Sequence, residues 1–126
     1  MSEATASVPR MDRADRGAAG EDATASWYRE RGFRVVARNW RCAAGEIDLL
    51  LARGELLVIC EVKTRRGSAF GGGFDAVGRQ KQRKLRQLAE LFLQASSARP
   101  TAVRFDVASV ALGPRGASIE VFRDAF

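Results

Sequence analysis

The sequence predicts an α/β domain whose mixed β-sheet is flanked by helices, with elements in the order α-β-β-β-α-β-β. Three observations carry that prediction. The apolar runs Leu49-Leu50-Leu51-Ala52 and Leu56-Leu57-Val58-Ile59-Cys60 flank Arg53-Gly54, a turn-forming pair, and read as a β-hairpin. Val77, Leu85, Leu88, Ala89, Leu91 and Phe92 form an apolar stripe on a helix from Asp75 to about Gln94. Val103-Arg104-Phe105-Asp106-Val107 alternates with the period of a strand.

Taken in order, Met1 to about Arg16 is rich in Ala, Ser, Asp and Arg and has no apolar period, so a disordered tail is expected before a folded domain spanning 17–126. From Gly17 to Arg31, Ala19, Ala23, Trp27 and the adjacent Tyr28 fall at helical spacing, and Gly32 offers a stop. Glu21, near the start of this helix, complements the helix dipole or adds a carboxylate aimed at the acidic end of the hairpin. Phe33 to Arg38 reads as a short first strand leading into Asn39-Trp40-Arg41, with Trp40 as a core or edge anchor and Arg41 either on a phosphate or solvated.

After the hairpin, Thr64 to Gly73 is basic and glycine-rich. It lacks the arrangement of a P-loop, and reads as a loop leaving the sheet that could close over a phosphate backbone. The following helix carries Arg79, Lys81, Arg83, Lys84 and Arg86 in its first half. Most such runs are solvated faces, but this one directly follows the loop and suits a nucleic-acid backbone. Ser96 to Pro100 ends the helix. A strand from Thr101 to Leu112, a Gly-Pro-Arg-Gly turn and a last edge strand from Ser118 to Phe122 complete the chain. Asp106 is either a further acid near the site or part of a structural pairing.

The hairpin carries the chemistry. A turn of two or four residues centred on Arg53 and Gly54 sets Leu50 opposite Leu57, Asp48 opposite Ile59 and Glu46 opposite Glu61. Opposed residues, and residues two apart on one strand, share a sheet face. Glu46, Asp48, Glu61 and Lys63 are therefore expected on one face at the open end, whereas a three-residue turn would move Asp48 to the other face. A single charge here would be a surface ion pair. Crowded carboxylates are costly without a cation, and two acids beside a lysine form a hard oxygen site suited to Mg²⁺ or Mn²⁺. The lysine can then attend a water while the metal stabilises charge on a phosphoryl oxygen.

Composition narrows the alternatives. At 126 residues the chain is long enough for one core without disulfides. Lys and Arg number 21 against 15 acids, a net charge of +6 that favours a polyanionic partner, with nucleic acid first. Histidine is absent, which removes every mechanism built on an imidazole base or ligand. Cys42 and Cys60, the only cysteines, lack zinc-ligand spacing and read as reduced thiols, although a disulfide between them remains open. No run approaches the roughly 18 apolar residues of a membrane span and no signal-peptide core follows the N-terminus, so a cytoplasmic protein without a membrane partner is expected.

These residues together carry a resemblance. Gly20-Glu21, Arg38-Asn39-Trp40-Arg41, Gly45-Glu46-Ile47-Asp48-Leu49, Glu61-Val62-Lys63-Thr64-Arg65, Phe70-Gly71, Lys81 and Arg104-Phe105-Asp106-Val107, in this order, are similar to the YraN-like family of small bacterial endonuclease-like proteins. The match runs from about Gly17 to Phe126. That family is grouped with the restriction endonuclease-like superfamily, whose members resemble Holliday-junction resolvases and restriction enzymes. The resemblance implies a restriction endonuclease-like fold in which Asp48 and Glu61 bind Mg²⁺, with Mn²⁺ as a substitute, assisted by the Val62 carbonyl. It implies that Lys63 attends the attacking water and that Glu21 completes the site. Lys81 becomes a phosphate contact and Glu46 a candidate outer group; Arg41, Arg65 and Lys84, from the basic stretches read above, are expected to join Lys81 as nucleic-acid-binding residues. The function implied is Mg²⁺-dependent hydrolysis of phosphodiesters in nucleic acid, with DNA, branched forms included, as the substrate. The alternative is a non-catalytic nucleic-acid-binding module that keeps the fold. Resolvase-like relatives act as dimers, which extends the expectation to a homodimer, although no segment stands out as its interface.

Overall fold

Helix α1 (Arg13–Arg29) is followed by strands β1 (Arg34–Cys42), β2 (Gly45–Arg53) and β3 (Leu56–Arg66), helix α2 (Arg79–Ala95), and strands β4 (Ala102–Gly113) and β5 (Gly116–Phe122). The computed structural model describes residues 13–66 and 77–126. The expected tail up to residue 12 and the glycine-rich stretch with Phe70-Gly71 lie outside the described residues. Thr64 to Arg66, expected to open that loop, continue β3, and α2 begins at Arg79 after Gly78, leaving Val77 buried ahead of the helix rather than on its stripe.

The predicted order and the mixed α/β architecture are both observed. The five strands lie in the order β1-β2-β3-β4-β5, as in a restriction endonuclease-like fold. The β3–β4 pair is parallel and the other neighbours are antiparallel. A parallel pair cannot be closed by a tight hairpin, and the segment carrying α2 supplies the crossover. β5 is an edge strand, as expected.

Each sheet face is closed by one helix. Leu50, Leu57, Ile59 and Phe105 pack with Leu85, Leu88, Ala89 and Phe92 of α2, and Trp40 meets Phe92 edge-on at 5.5 Å. Leu49, Leu51, Val58, Cys60 and Ala108 pack on the other face with Tyr28 of α1 and Phe33. The split follows from strand alternation, because neighbours in β2 and β3 face opposite layers. Each fully buried Leu or Ile contributes about 1.5–3 kcal/mol relative to exposure, so both helices are held chiefly by these side chains.

Two expectations for α1 need correction. The helix begins at Arg13 rather than at 17, and its buried side is Gly20, Glu21, Thr24, Ala25 and Tyr28. Ala19, Ala23 and Trp27 lie beside this stripe and are half-buried. The apolar pattern misplaced the stripe because two of its buried side chains are polar: Glu21, and Thr24, whose hydroxyl donates to the Gly20 carbonyl at 2.8 Å.

Asp106 proves to be structural. It is fully buried and accepts hydrogen bonds from Tyr28 Oη, from Arg104 Nε and Nη2, and from the Asp124 amide. A buried carboxylate is tolerated when its lone pairs are filled in this way. The network ties α1 to β4 and to the residues after β5. Cys42 and Cys60 are both free thiols, and burial pushes the Cys60 thiol up.

The hairpin register also differs from the expected one. The turn is Gly54-Glu55, with Gly54 at φ 58°, and Arg53 pairs with Leu56, Leu51 with Val58 and Leu49 with Cys60. Moving the turn by one residue moves every pairing by two, so the faces are preserved while the partners change. Leu50 opposes Ile59 rather than Leu57, and the ladder ends at Leu49–Cys60, so Asp48 does not oppose Ile59.

Candidate functional site: a fork between two strands

The β2–β3 ladder ends at the Leu49–Cys60 pair, although β2 begins at Gly45 and β3 continues to Arg66. Beyond that point β2 pairs only with β1, through Ile47–Trp40 and Glu46–Arg41, while β3 stays with β4 as far as Arg66–Leu112. The sheet therefore forks between its second and third strands, and the acidic residues lie at the fork. Alternation breaks there too. Ile47 and Leu50, three residues apart, pack in the same cluster against α2. Across the β1–β2 ladder, between the Arg38–Leu49 and Trp40–Ile47 pairs, Asn39 takes a left-handed φ of 52°.

Asp48 bridges the fork. Its Oδ2 accepts a 2.9 Å hydrogen bond from the Val62 amide, replacing the backbone bond that the parted strands do not make. Loss of solvent pushes the carboxyl up to about 7, against the lowering effect of the Val62 hydrogen bond and with the help of the nearby charges of Glu61, Glu21 and Glu46. Asp48 therefore lies in the field of the charges of Glu61, Glu21 and Glu46.

Each acid has a protein partner. Glu21, from the helix on one face, accepts a 3.0 Å hydrogen bond from Asn39 Nδ2 and faces Arg38 Nη2 at 3.5 Å. Arg38 also holds Asp22 at 2.7 Å. Glu61 is paired at 3.4 Å with Lys81 Nζ, from the helix on the opposite face. Glu46 accepts from Arg41 Nε at 3.2 Å. Lys63, half-buried two residues beyond Glu61, lies within ion-pair distance of no carboxylate among the described residues.

Of the expected nucleic-acid-binding residues, Lys81 and Arg41 are exposed beside the acids, and Lys84 donates to the Ala44 carbonyl at 3.2 Å in the turn before β2. Arg65 is half-buried near the end of β3. Sequence reasoning quoted Asn39 and Gly20 without giving them a role. Gly20 is placed so that a Cβ would come 1.9 Å from Thr64 Oγ1, and its absence lets α1 press onto β3 beside Glu21. The signal was present in the type of residue. Asn tolerates left-handed backbone, and a mid-helix Gly is costly unless something packs there.

The donor set suits a hard cation. Mg²⁺ commonly keeps several waters and takes only one or two carboxylates, and Asp48 and Glu61 can supply two. Among the described residues, no group of three or more His, Cys, Asp or Glu side chains is arranged to hold a metal ion. Asp48 and Glu61 are the carboxylates that could hold such an ion together with solvent, while Glu21 is engaged by Asn39 and Arg38.

Comparison with known proteins settles the kinship. The profile of the family described as "Uncharacterised protein family UPF0102" matches residues 20–110, which covers every site residue named above. The chain belongs to the UPF0102 family. A UPF0102 protein of Rhodococcus opacus is 46% identical over 112 residues, covering 87% of this chain and 94% of its own. One from Symbiobacterium thermophilum is 47% identical over 100 residues, covering 79% and 85%. A UPF0102 protein of Dictyoglomus turgidum is 37% identical over 106 residues, covering 84% and 90%. The matched residues 20–110 take in Glu21, the fork and α2 of this chain. No described helix of this UPF0102 protein is long and apolar enough to cross a membrane.

Proposed function

We propose that the protein is a divalent-metal-dependent nuclease that hydrolyses phosphodiesters of nucleic acid, with DNA, branched forms included, as its substrate. One observation carries this reading: Asp48, fixed by the Val62 amide at the fork, is largely desolvated and feels the charges of Glu61, Glu21 and Glu46. Negative charges around a desolvated carboxylate favour a bound cation.

Mg²⁺ or Mn²⁺ would supply neutralisation of the acids and Lewis-acid stabilisation of charge on the phosphoryl group. Asp48 and Glu61 would hold it, with the Val62 amide keeping the Asp48 carboxylate in one orientation. Lys63 Nζ would donate a hydrogen bond to the attacking water and stabilise the hydroxide character that develops on it. Asn39 would hold Glu21 in place at the rim. Arg41, Arg65, Lys81 and Lys84 would neutralise backbone phosphates and set the register of the strand without reading sequence.

The test is cleavage of duplex, single-stranded, flap and four-way-junction substrates with Mg²⁺ and with Mn²⁺. Asp48→Ala or Lys63→Ala should abolish cleavage while leaving binding largely intact. Failure of the native protein to cut any of these substrates would reject the enzyme. A second reading, a nucleic-acid-binding module without turnover, rests on the protein cations already paired with these acids, Lys81 with Glu61 and Arg38 with Glu21. It predicts salt-sensitive binding that EDTA does not alter.

A further inference from the structure

Lys81 is an unusual residue to find where it is. It lies in the first turn of α2, where the helix dipole disfavours a cation, and that turn contains no acid. Gly78 precedes the helix and makes no side-chain cap. The side chain is 49% exposed, so its ammonium has access to water. It nevertheless sits 3.4 Å from Oε2 of Glu61, a side chain only 16% exposed. Lys84, one turn further along, turns to the Ala44 carbonyl and takes no acid. Among the described residues, Lys81 is the cation paired with Glu61.

Building on the divalent site proposed above, we infer that Lys81 is a displaceable placeholder for the metal, which leaves Glu61 when a divalent cation binds and then engages a backbone phosphate. The reason is electrostatic. A divalent ion on Glu61 would stand close to the ammonium, and repulsion between them is strong at a partly desolvated site. The long, exposed stem of Lys81 allows the head group to swing away without disturbing α2. Metal and polyanion are thereby coupled: each draws on the same ion pair, the metal by taking Glu61 and the phosphate by taking Lys81. By linkage, either ligand raises affinity for the other.

The experiment is calorimetric titration of Mn²⁺ into the native protein, Lys81→Gln and Lys84→Gln, without nucleic acid. The two variants lose the same charge from the same helix, so only the specific pair separates them. Lys81→Gln should bind Mn²⁺ several-fold more tightly than the native protein, and Lys84→Gln should differ little from it. Equal effects of the two substitutions would reduce the pair to net charge and overturn the inference, while leaving the metal site intact. No Mn²⁺ heat in any of the three would remove the site itself and the inference with it. The phosphate half is read from the salt dependence of binding to a duplex. With Ca²⁺ present, Lys81→Gln should lower the slope by about one counterion; without divalent ions it should leave the slope unchanged. A slope lowered equally in both conditions would show that Lys81 never depended on the metal.

Discussion

Gly20 of α1 rests against Thr64 of β3 so closely that a methyl group on it would fall 1.9 Å from Oγ1 and 3.0 Å from Cβ of the threonine. The contact brings the helix to the sheet one residue before Glu21 and two residues along β3 from Val62, whose amide holds Asp48. The packing of α1 and the placing of its acid are therefore one event.

Gly20→Ala should cost about 1–3 kcal/mol, the usual cost of overpacking, because the obstructing atoms belong to a short β-branched side chain. Urea unfolding checks this. Thr64→Ala in the same chain should recover part of the loss, since it removes the nearest atom, and a double-mutant cycle should show coupling between the two positions.

The stability of the metal-free protein should fall with rising pH on account of Asp48. Its folded-state value, about 7, lies above the ordinary 3.8, so its stabilising contribution is full below the ordinary value and is lost as pH rises through about 7. Unfolding curves in EDTA at about pH 5 and about pH 8 should differ in that direction, and Asp48→Asn should flatten the difference. Added Mg²⁺ should restore stability at the higher pH, because a ligand that binds only the folded state stabilises it.

The buried Asp106 network should be costly to break and irrelevant to chemistry. Tyr28→Phe removes one of four donor groups on that carboxylate and should cost about 1–2 kcal/mol. Asp106→Ala leaves Tyr28 Oη and Arg104 without their acceptor and should cost about 3 kcal/mol or more. Denaturant unfolding measures both.

Much of this was legible in the sequence, and the exceptions have physical causes. Strands β2 and β3 declared themselves through apolar runs on either side of a glycine, and α2 through its stripe ending at Phe92. The paired residues of β2 and β3 kept their expected faces despite a wrong register, because an error of two residues preserves faces. What could not be read was the fork. It depends on which strand each half of β2 chooses as its partner, and those choices are long-range. Asn39 went unassigned for the same reason: its left-handed backbone has meaning only where alternation in the sheet breaks. Lys81 was expected to meet a phosphate. That it meets Glu61 depends on how α2 packs over the sheet, which no local pattern contains.

The central claim, that Asp48 and Glu61 at the fork form a divalent-cation centre, is tested most directly by titrating Mn²⁺ into the native protein and into Asp48→Ala and Glu61→Ala. The account predicts saturable binding to the native chain that is lost in both variants. Binding that persists undiminished in either one, or no binding to the native protein, would contradict it.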